Sequence, residues 1–366
     1  MTEQNFSSDI RISRELGLWR AITLSLGVML VLLVYVLAGG AVAAAGPAAP
    51  LAYLLATLLL LINVLGYVEL AMSVPRPGGA YGLVHEAQGG TWLAFITGWM
   101  LTLSGLGMCA LLTRGFAVQV TMLLHDHLGL ELPIWPWAAG LVILLAADNG
   151  LGAHEGRRRT VIASLIIVLL GFTLLAVPRI QLDYYSSSSD AARHWGQSLP
   201  LVMVAFVGLE ITAVLQNEMR QRKTNAPRAL LMAPALTAAL GAIIVGVTIG
   251  VAGPQSLATS RVPLALLGAA VAGGGGRPFI LIIGALALTL DRALMMVVRQ
   301  VYTMSADGFW PAGLRRMQSR FRTPFRLIVL VAVLVLPSVL LPVDFVARLA
   351  RSWPAPSPPC SIWPWP

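Results

Sequence analysis

The sequence predicts an all-α protein that crosses a membrane many times, on three observations. Of its 366 residues 57% are hydrophobic and 11% charged, with mean hydropathy +0.79. No soluble domain needs so much apolar surface. Apolar runs long enough to cross about 30 Å of hydrocarbon recur along the chain. The basic residues sit in short clusters between those runs, so the net charge of +9 marks membrane orientation and not a nucleic-acid surface.

The runs fall near 18–46, 51–73, 92–122, 134–149, 160–178, 199–217, 229–252, 279–304 and 325–342, nine in all. Residues 1–15 are polar, and the run that follows is too long for a cleaved signal. The connections alternate in charge. Arg11, Arg14, Arg20, Arg76, Arg157–Arg159, Arg220, Arg222, Lys223, Arg228, Arg315, Arg316, Arg320, Arg322 and Arg326 make sixteen on one side. Arg179, Arg193, Arg261 and Arg277 make four on the other. The positive-inside rule then predicts a cytoplasmic N-terminus and, with nine spans, an outward C-terminus.

The connections differ in kind. Glu69-Leu-Ala-Met-Ser-Val-Pro-Arg-Pro-Gly-Gly-Ala-Tyr81 must break the helix at the membrane edge, because Pro75, Pro77, Gly78 and Gly79 resist a regular helix. It predicts a short, ordered cytoplasmic connection, and Glu69 is costly unless it faces protein or water. Ser186–Ser189 after Tyr184-Tyr185, and Gly273–Gly276 before Arg277, read as flexible outer connectors. His125-Asp126-His127 reads as an outer-loop turn and not a metal cluster. Cys109 and Cys360 supply no disulfide framework or metal site. Without a Gly-x-Ser-x-Gly element, a P-loop or a His-Glu-x-x-His motif, the sequence predicts no enzyme.

Four blocks carry a family resemblance. They are Leu16-Gly-Leu-Trp19 with Ala45-Gly-Pro-Ala-Ala-Pro-Leu51; Tyr67-Val-Glu-Leu-Ala71 with Pro75–Tyr81 and Phe95-Ile-Thr-Gly-Trp99; Phe206-Val-Gly-Leu-Glu210 with Asn217-Glu218 and Asn225–Arg228; and Arg299 with Ala306-Asp-Gly308, Pro311 and Thr323-Pro324. In this order and spacing, from about Leu16 to Leu330, the chain resembles the amino acid–polyamine–organocation superfamily of permeases.

The resemblance implies a leucine-transporter-like inverted repeat and secondary active transport of amino acids or related amines by alternating access. It further implies a multi-pass protein of the plasma membrane, surrounded by lipid, that takes a small-molecule substrate, requires no cofactor and is coupled to H+, Na+ or an exchanged solute. Oligomeric state is left open. In that fold the first and sixth helices are interrupted at the midplane, and freed backbone groups hold a zwitterion. By alignment those places are Val31, Leu32, Leu33 and Val34, and Phe206, Val207, Gly208 and Leu209. Gly208 is a flexible point or a packing notch, and Phe206 is the expected lid. Glu210 is a proton or gating site, or half of a structural ion pair. Asp291 in the eighth run faces a polar interior on this alignment and is the second coupling or gating residue. Arg114 has no partner legible in sequence, with Glu69 and Glu210 as candidates in three dimensions.

The pattern departs at two places. Where the family has Gly-x-Gly, this chain has Val31-Leu-Leu-Val34, which predicts an uninterrupted helix from Val31 to Leu37, with Gly39-Gly40 as a displaced break. The lysine that some members carry in the fifth helix has no counterpart here, the one lysine being Lys223. After Leu341 the tail carries six prolines between 354 and 366, which cannot span a membrane. The expectation is therefore about nine helices, five plus four with the tenth missing. It divides the chain into a tail (1–17), one transporter domain (18–342) and a Pro/Trp-rich tail (343–366). Two functional readings follow: a permease, or a non-transporting binding or assembly protein derived from one.

Overall fold

The computed structural model describes residues 16–73, 79–88, 91–150, 155–186, 195–216, 219–289, 293–315 and 323–340, and among them there is no β-strand. Helix runs through the described part of each of the nine apolar runs. The helices are α1 (Leu18–Val31), α2 (Ala38–Ala45), α3 (Ala49–Ser73), α4 (Gly79–Gln88), α5 (Thr91–Leu128), α6 (Trp135–Gly150) and α7 (Glu155–Ala176). They continue as α8 (Asp183–Ser186), α9 (Leu199–Ala205), α10 (Leu209–Leu215), α11 (Arg222–Ala252), α12 (Pro254–Thr259), α13 (Pro263–Thr289), α14 (Ala293–Ala306) and α15 (Phe325–Leu340). Six stretches of described helix are long and apolar enough to cross a membrane, with Leu199–Val214 and Phe325–Pro337 as shorter apolar helices.

These helices are coated as a bilayer requires. Along α3, Leu51, Leu54, Leu58, Ile62 and Leu65 recur every three or four residues and are all exposed. Ala52, Tyr53, Ala56 and Val64, on the opposite face, are buried. In water such an outer stripe would be a large unfavourable patch; in lipid it is the solvent-facing side. Hydroxyls inside the helices are satisfied locally. Thr57, Thr102, Thr121, Thr173, Thr237 and Thr248 each donate to the carbonyl four residues back.

Small residues set how the helices approach. On α5, Gly98 faces Met304 and Gly105 faces Val297, both on α14, so α14 lies in a shallow trough along α5. A carbon added at Gly105 would stand 2.5 Å from Val297 Cγ2. With 38 residues, α5 is about 57 Å long and extends beyond the hydrocarbon layer. His125, Asp126 and His127 therefore lie in its last turn and not in a loop. Asp126 pairs there with Arg277 at 2.7 Å.

The Gly273–Gly276 stretch forms a kink within helix, exposed at Gly273–Gly275 and packed at Gly276. It lies inside α13, where Ala272 and Gly273 leave helical angles and Gly273 takes φ +58°. Gly276 then meets the backbone of Gly268 so closely that neither position has room for a side chain. Glycine is used here for a positive φ and for backbone contact.

Candidate functional site

The first apolar run is interrupted near its middle. After α1, Leu32–Val36 form a π-helical segment, and Leu37 bends the chain at φ −98°, ψ −14° before α2 starts. The Leu37 N–H donates to the Leu32 carbonyl, five residues back, at 3.0 Å. This corrects the expectation of an unbroken helix from Val31 to Leu37. A π segment widens the helix while φ and ψ stay in the helical region, so bulky residues can form it without glycine. Gly39 and Gly40, the expected displaced break, lie within regular α2.

Glycine is supplied instead by the neighbouring helices. Leu32, Leu33 and Val34 are fully buried. A carbon at Gly241 of α11 would stand 2.5 Å from Leu33 Cδ2, and one at Gly115 of α5 would stand 2.7 Å from Val36 Cγ2. The widened turn is seated in notches cut by these two glycines.

The sixth run is interrupted as well. Phe206–Gly208 form a 3-10 turn between α9 and α10. It packs on α1, where a carbon at Gly208 would fall 2.7 Å from Met29 Cγ. Thr212 Oγ1 donates to Ser25 Oγ at 2.6 Å, tying α10 to α1 with both residues fully buried. Phe206 is buried in the core, Leu209 nearly so, and Val207 is half-buried. The Phe206–Gly208 turn thus packs on α1 at Met29, two residues before Val31, while Leu32–Val36 interrupts the run that α1 begins.

Glu210 points to the start of α4. Its carboxylate accepts the Ala80 backbone N–H, and its Oε2 would be 2.9 Å from any carbon added at Gly79. Gly79 has φ +59°. A carboxylate on the first amides of a helix replaces a missing cap and meets the positive end of the helix dipole. Glu210 thereby ties the sixth run to the connection after the second. Asp291 lies outside the described residues. Arg114 donates to the Val339 carbonyl of α15 at 3.5 Å, and Glu69 is exposed on α3.

A narrow cavity of about 30 Å³ runs beside the first interruption, between Val31, Val34 and Tyr35, Leu112 of α5, Ile166 of α7 and Ala287 of α13. It is apolar apart from Tyr35, whose buried hydroxyl has no hydrogen-bond partner among the described residues. Among the described residues no group of three His, Cys, Asp or Glu could hold a metal. Among the described residues the region offers two helix interruptions, apolar side chains and the Glu210 carboxylate.

The family model described as amino acid permease matches residues 16–351. The chain belongs to the amino acid permease family. It is 28% identical over 346 residues to an uncharacterized transporter of Mycobacterium tuberculosis H37Rv, covering 88% of this chain and 73% of that protein. It is 26% identical over 350 residues to the branched-chain amino acid permease BcaP of Bacillus subtilis, covering 87% of this chain and 73% of the relative. Among solved structures it resembles Mhp1, a nucleobase-cation-symport-1 family transporter held closed with bromovinylhydantoin bound. That match has TM-score 0.59 and 13% identity, over 92% of this chain and 75% of the other.

This permease is thus a multi-pass integral membrane protein of leucine-transporter-like fold. It serves transport of amino acids or related compounds and is not an enzyme. The sequence placed the family's break sites by alignment but predicted no break at Val31–Leu37, and it missed Gly115 and Gly241 because the Val31–Val36 segment they face carries no glycine signal. It also missed the pairing of Glu210 with Ala80, although both residues lie in the blocks that carried the resemblance.

Proposed function

We propose that this permease carries an amino acid or related amine across the plasma membrane by alternating access, as a secondary transporter with a cytoplasmic N-terminus. The observation that carries this reading is that the first and sixth runs are both interrupted, at Leu32–Val36 between α1 and α2 and at Phe206–Gly208 between α9 and α10, with the second turn packed on α1 at Met29. Backbone groups at such breaks can hold a carboxylate and an amine without an ionised side chain in lipid. Val31–Val34 and Phe206–Leu209 are the proposed cradle. Names of relatives give the substrate class support: besides BcaP, a mouse protein called cationic amino acid transporter 4 is 28% identical over 317 residues.

Glu210 is the proposed gate at the N-terminal face, since opening that face must part its carboxylate from Ala80. Asp291 is kept as a second coupling or gating candidate. The loop charge asymmetry supports an inward N-terminal face. Purified protein in proteoliposomes, offered a panel of labelled amino acids, tests the proposal. Substrate-dependent uptake or exchange is expected, and collapsing the H+ and Na+ gradients separately assigns the coupling. A folded sample that moves none of the panel in either direction would sink it.

A further inference from the structure

Glycines shape both ends of the cavity beside the first interruption. On α1, a carbon at Gly27 would stand 2.8 Å from Ile162 Cγ2 of α7, so the two helices close on each other there. Eight residues on, roughly 12 Å along the run, Tyr35 is seated against Gly284 of α13, where an added carbon would stand 2.5 Å from its Cε1. Gly27 and Tyr35 both line the cavity. Between them its walls are aliphatic, with Val31 and Val34 from the first run, Leu112 from α5, Ile166 from α7 and Ala287 from α13.

We propose that this cavity is the subsite for the substrate's side chain, and that it selects a short, uncharged aliphatic one. The proposal rests on the transport reading above, because Val31 and Val34 belong both to the proposed cradle and to the cavity wall. Space sets the length. One water-sized group needs about 10–15 Å³ of such space, so a cavity of about 30 Å³ has room for the chain of alanine or valine and none for a phenyl ring. Polarity sets the kind. Among the described residues no charged side chain lines the cavity, and a cationic substrate would give up its hydration against aliphatic carbon. A small void leaves its lining atoms without contacts on one side, and the methyl groups of such a substrate supply them.

Two wall residues then decide which chain fits. Ala287 of α13 presents a single methyl group, so a longer residue there extends into the space. Leu112 of α5 is fully buried, so shortening it enlarges the space. Neither belongs to the cradle segments, and both changes leave the backbone of the two interruptions in place.

Purified protein in detergent, equilibrated in turn with labelled alanine and labelled valine and competed with leucine, phenylalanine and lysine, reads the order of preference without requiring transport. In the parent protein alanine and valine should bind at least about tenfold better than phenylalanine or lysine. Ala287→Leu should weaken valine about tenfold or more and alanine less, and Leu112→Ala should raise leucine or phenylalanine by a similar factor relative to valine. Ala287→Val and Ile166→Val are milder changes in the same two directions, for the case in which a larger one prevents folding. A folded parent that binds none of the five or prefers phenylalanine or lysine, or folded variants that keep the parent's order, would overturn the subsite. Uptake separates the two readings. If the preferences shift as expected but nothing is carried, the transport reading has failed and the subsite stands. If amino acids are carried in an order that neither wall changes, the subsite has failed and the transport reading stands.

Discussion

Gly208 of the sixth run lies against Met29 of the first, close enough that one added carbon would sit 2.7 Å from Met29 Cγ. This contact sets how closely the Phe206–Gly208 turn approaches α1, because a larger residue at 208 would push them apart. Gly208 keeps ordinary helical angles, φ −59° and ψ −14°, so its role is space and not backbone freedom.

Gly208→Ala should therefore overpack the junction, costing about 1–3 kcal/mol. The second change Met29→Ala should recover much of that loss, because it removes the atom in the way. Thermal unfolding of the four proteins in detergent, treated as a double-mutant cycle, reads the coupling. A purely conformational role for Gly208 predicts no rescue.

At the first interruption the sequence argument and the structure part company for an identifiable reason. Val31-Leu-Leu-Val34 contains no residue that tolerates unusual backbone angles, and from that the break was expected to be lost. The chain instead widens into a π turn, which keeps helical angles, and places the needed glycines at 115 and 241 on other helices. Local composition cannot report space made by residues nearly eighty or more positions away. The sixth run was more legible because Gly208 stands inside its own break. The class of fold and its lipid-facing runs were plain throughout, being set by hydropathy and length. The Gly273–Gly276 kink was not, since nothing in a glycine run tells which of its members, here Gly276, is pressed against backbone.

Gly241→Ala tests the division of labour between helices. Its new carbon would meet Leu33 at 2.5 Å, so Leu33 must leave its notch or the π turn must straighten. A loss of about 1–3 kcal/mol is expected from the overpacking, with transport falling further than stability alone explains. Gly246→Ala on the same helix, where the nearest atom would be Pro50 Cγ at 3.6 Å, should be nearly silent. Equal effects at 241 and 246 would mean that helix propensity and not the notch is being measured.

The buried hydroxyl pair Thr212 and Ser25 predicts an asymmetry. Thr212→Val leaves Ser25 without its partner in an apolar layer, and a cost of about 1–2 kcal/mol follows. The double change Thr212→Val with Ser25→Ala removes both polar groups and should be less damaging than the sum of the single changes. Unfolding in detergent gives the comparison. By contrast, Asp126→Asn breaks an ion pair whose arginine side chain is 40% exposed, and should cost no more than about 1 kcal/mol.

Gly79 and Glu210 give the most discriminating test. Gly79 sits at φ +59°, where any other L-residue costs about 1–2 kcal/mol, and a carbon there would also press on Glu210 Oε2 at 2.9 Å. Gly79→Ala should therefore loosen the start of α4 even with Glu210 intact. Glu210→Gln keeps an oxygen for the Ala80 amide but loses the charge, whereas Glu210→Ala loses both. If the carboxylate acts only as a cap, Gln should protect α4 amides from hydrogen exchange nearly as well as Glu, and Ala should not. If charge at this place gates the N-terminal face, Gln should hold α4 yet change uptake and its dependence on internal pH. The exchange pattern of residues 79–88, measured beside uptake for the same three variants, separates the two roles because it reports the helix start independently of any substrate.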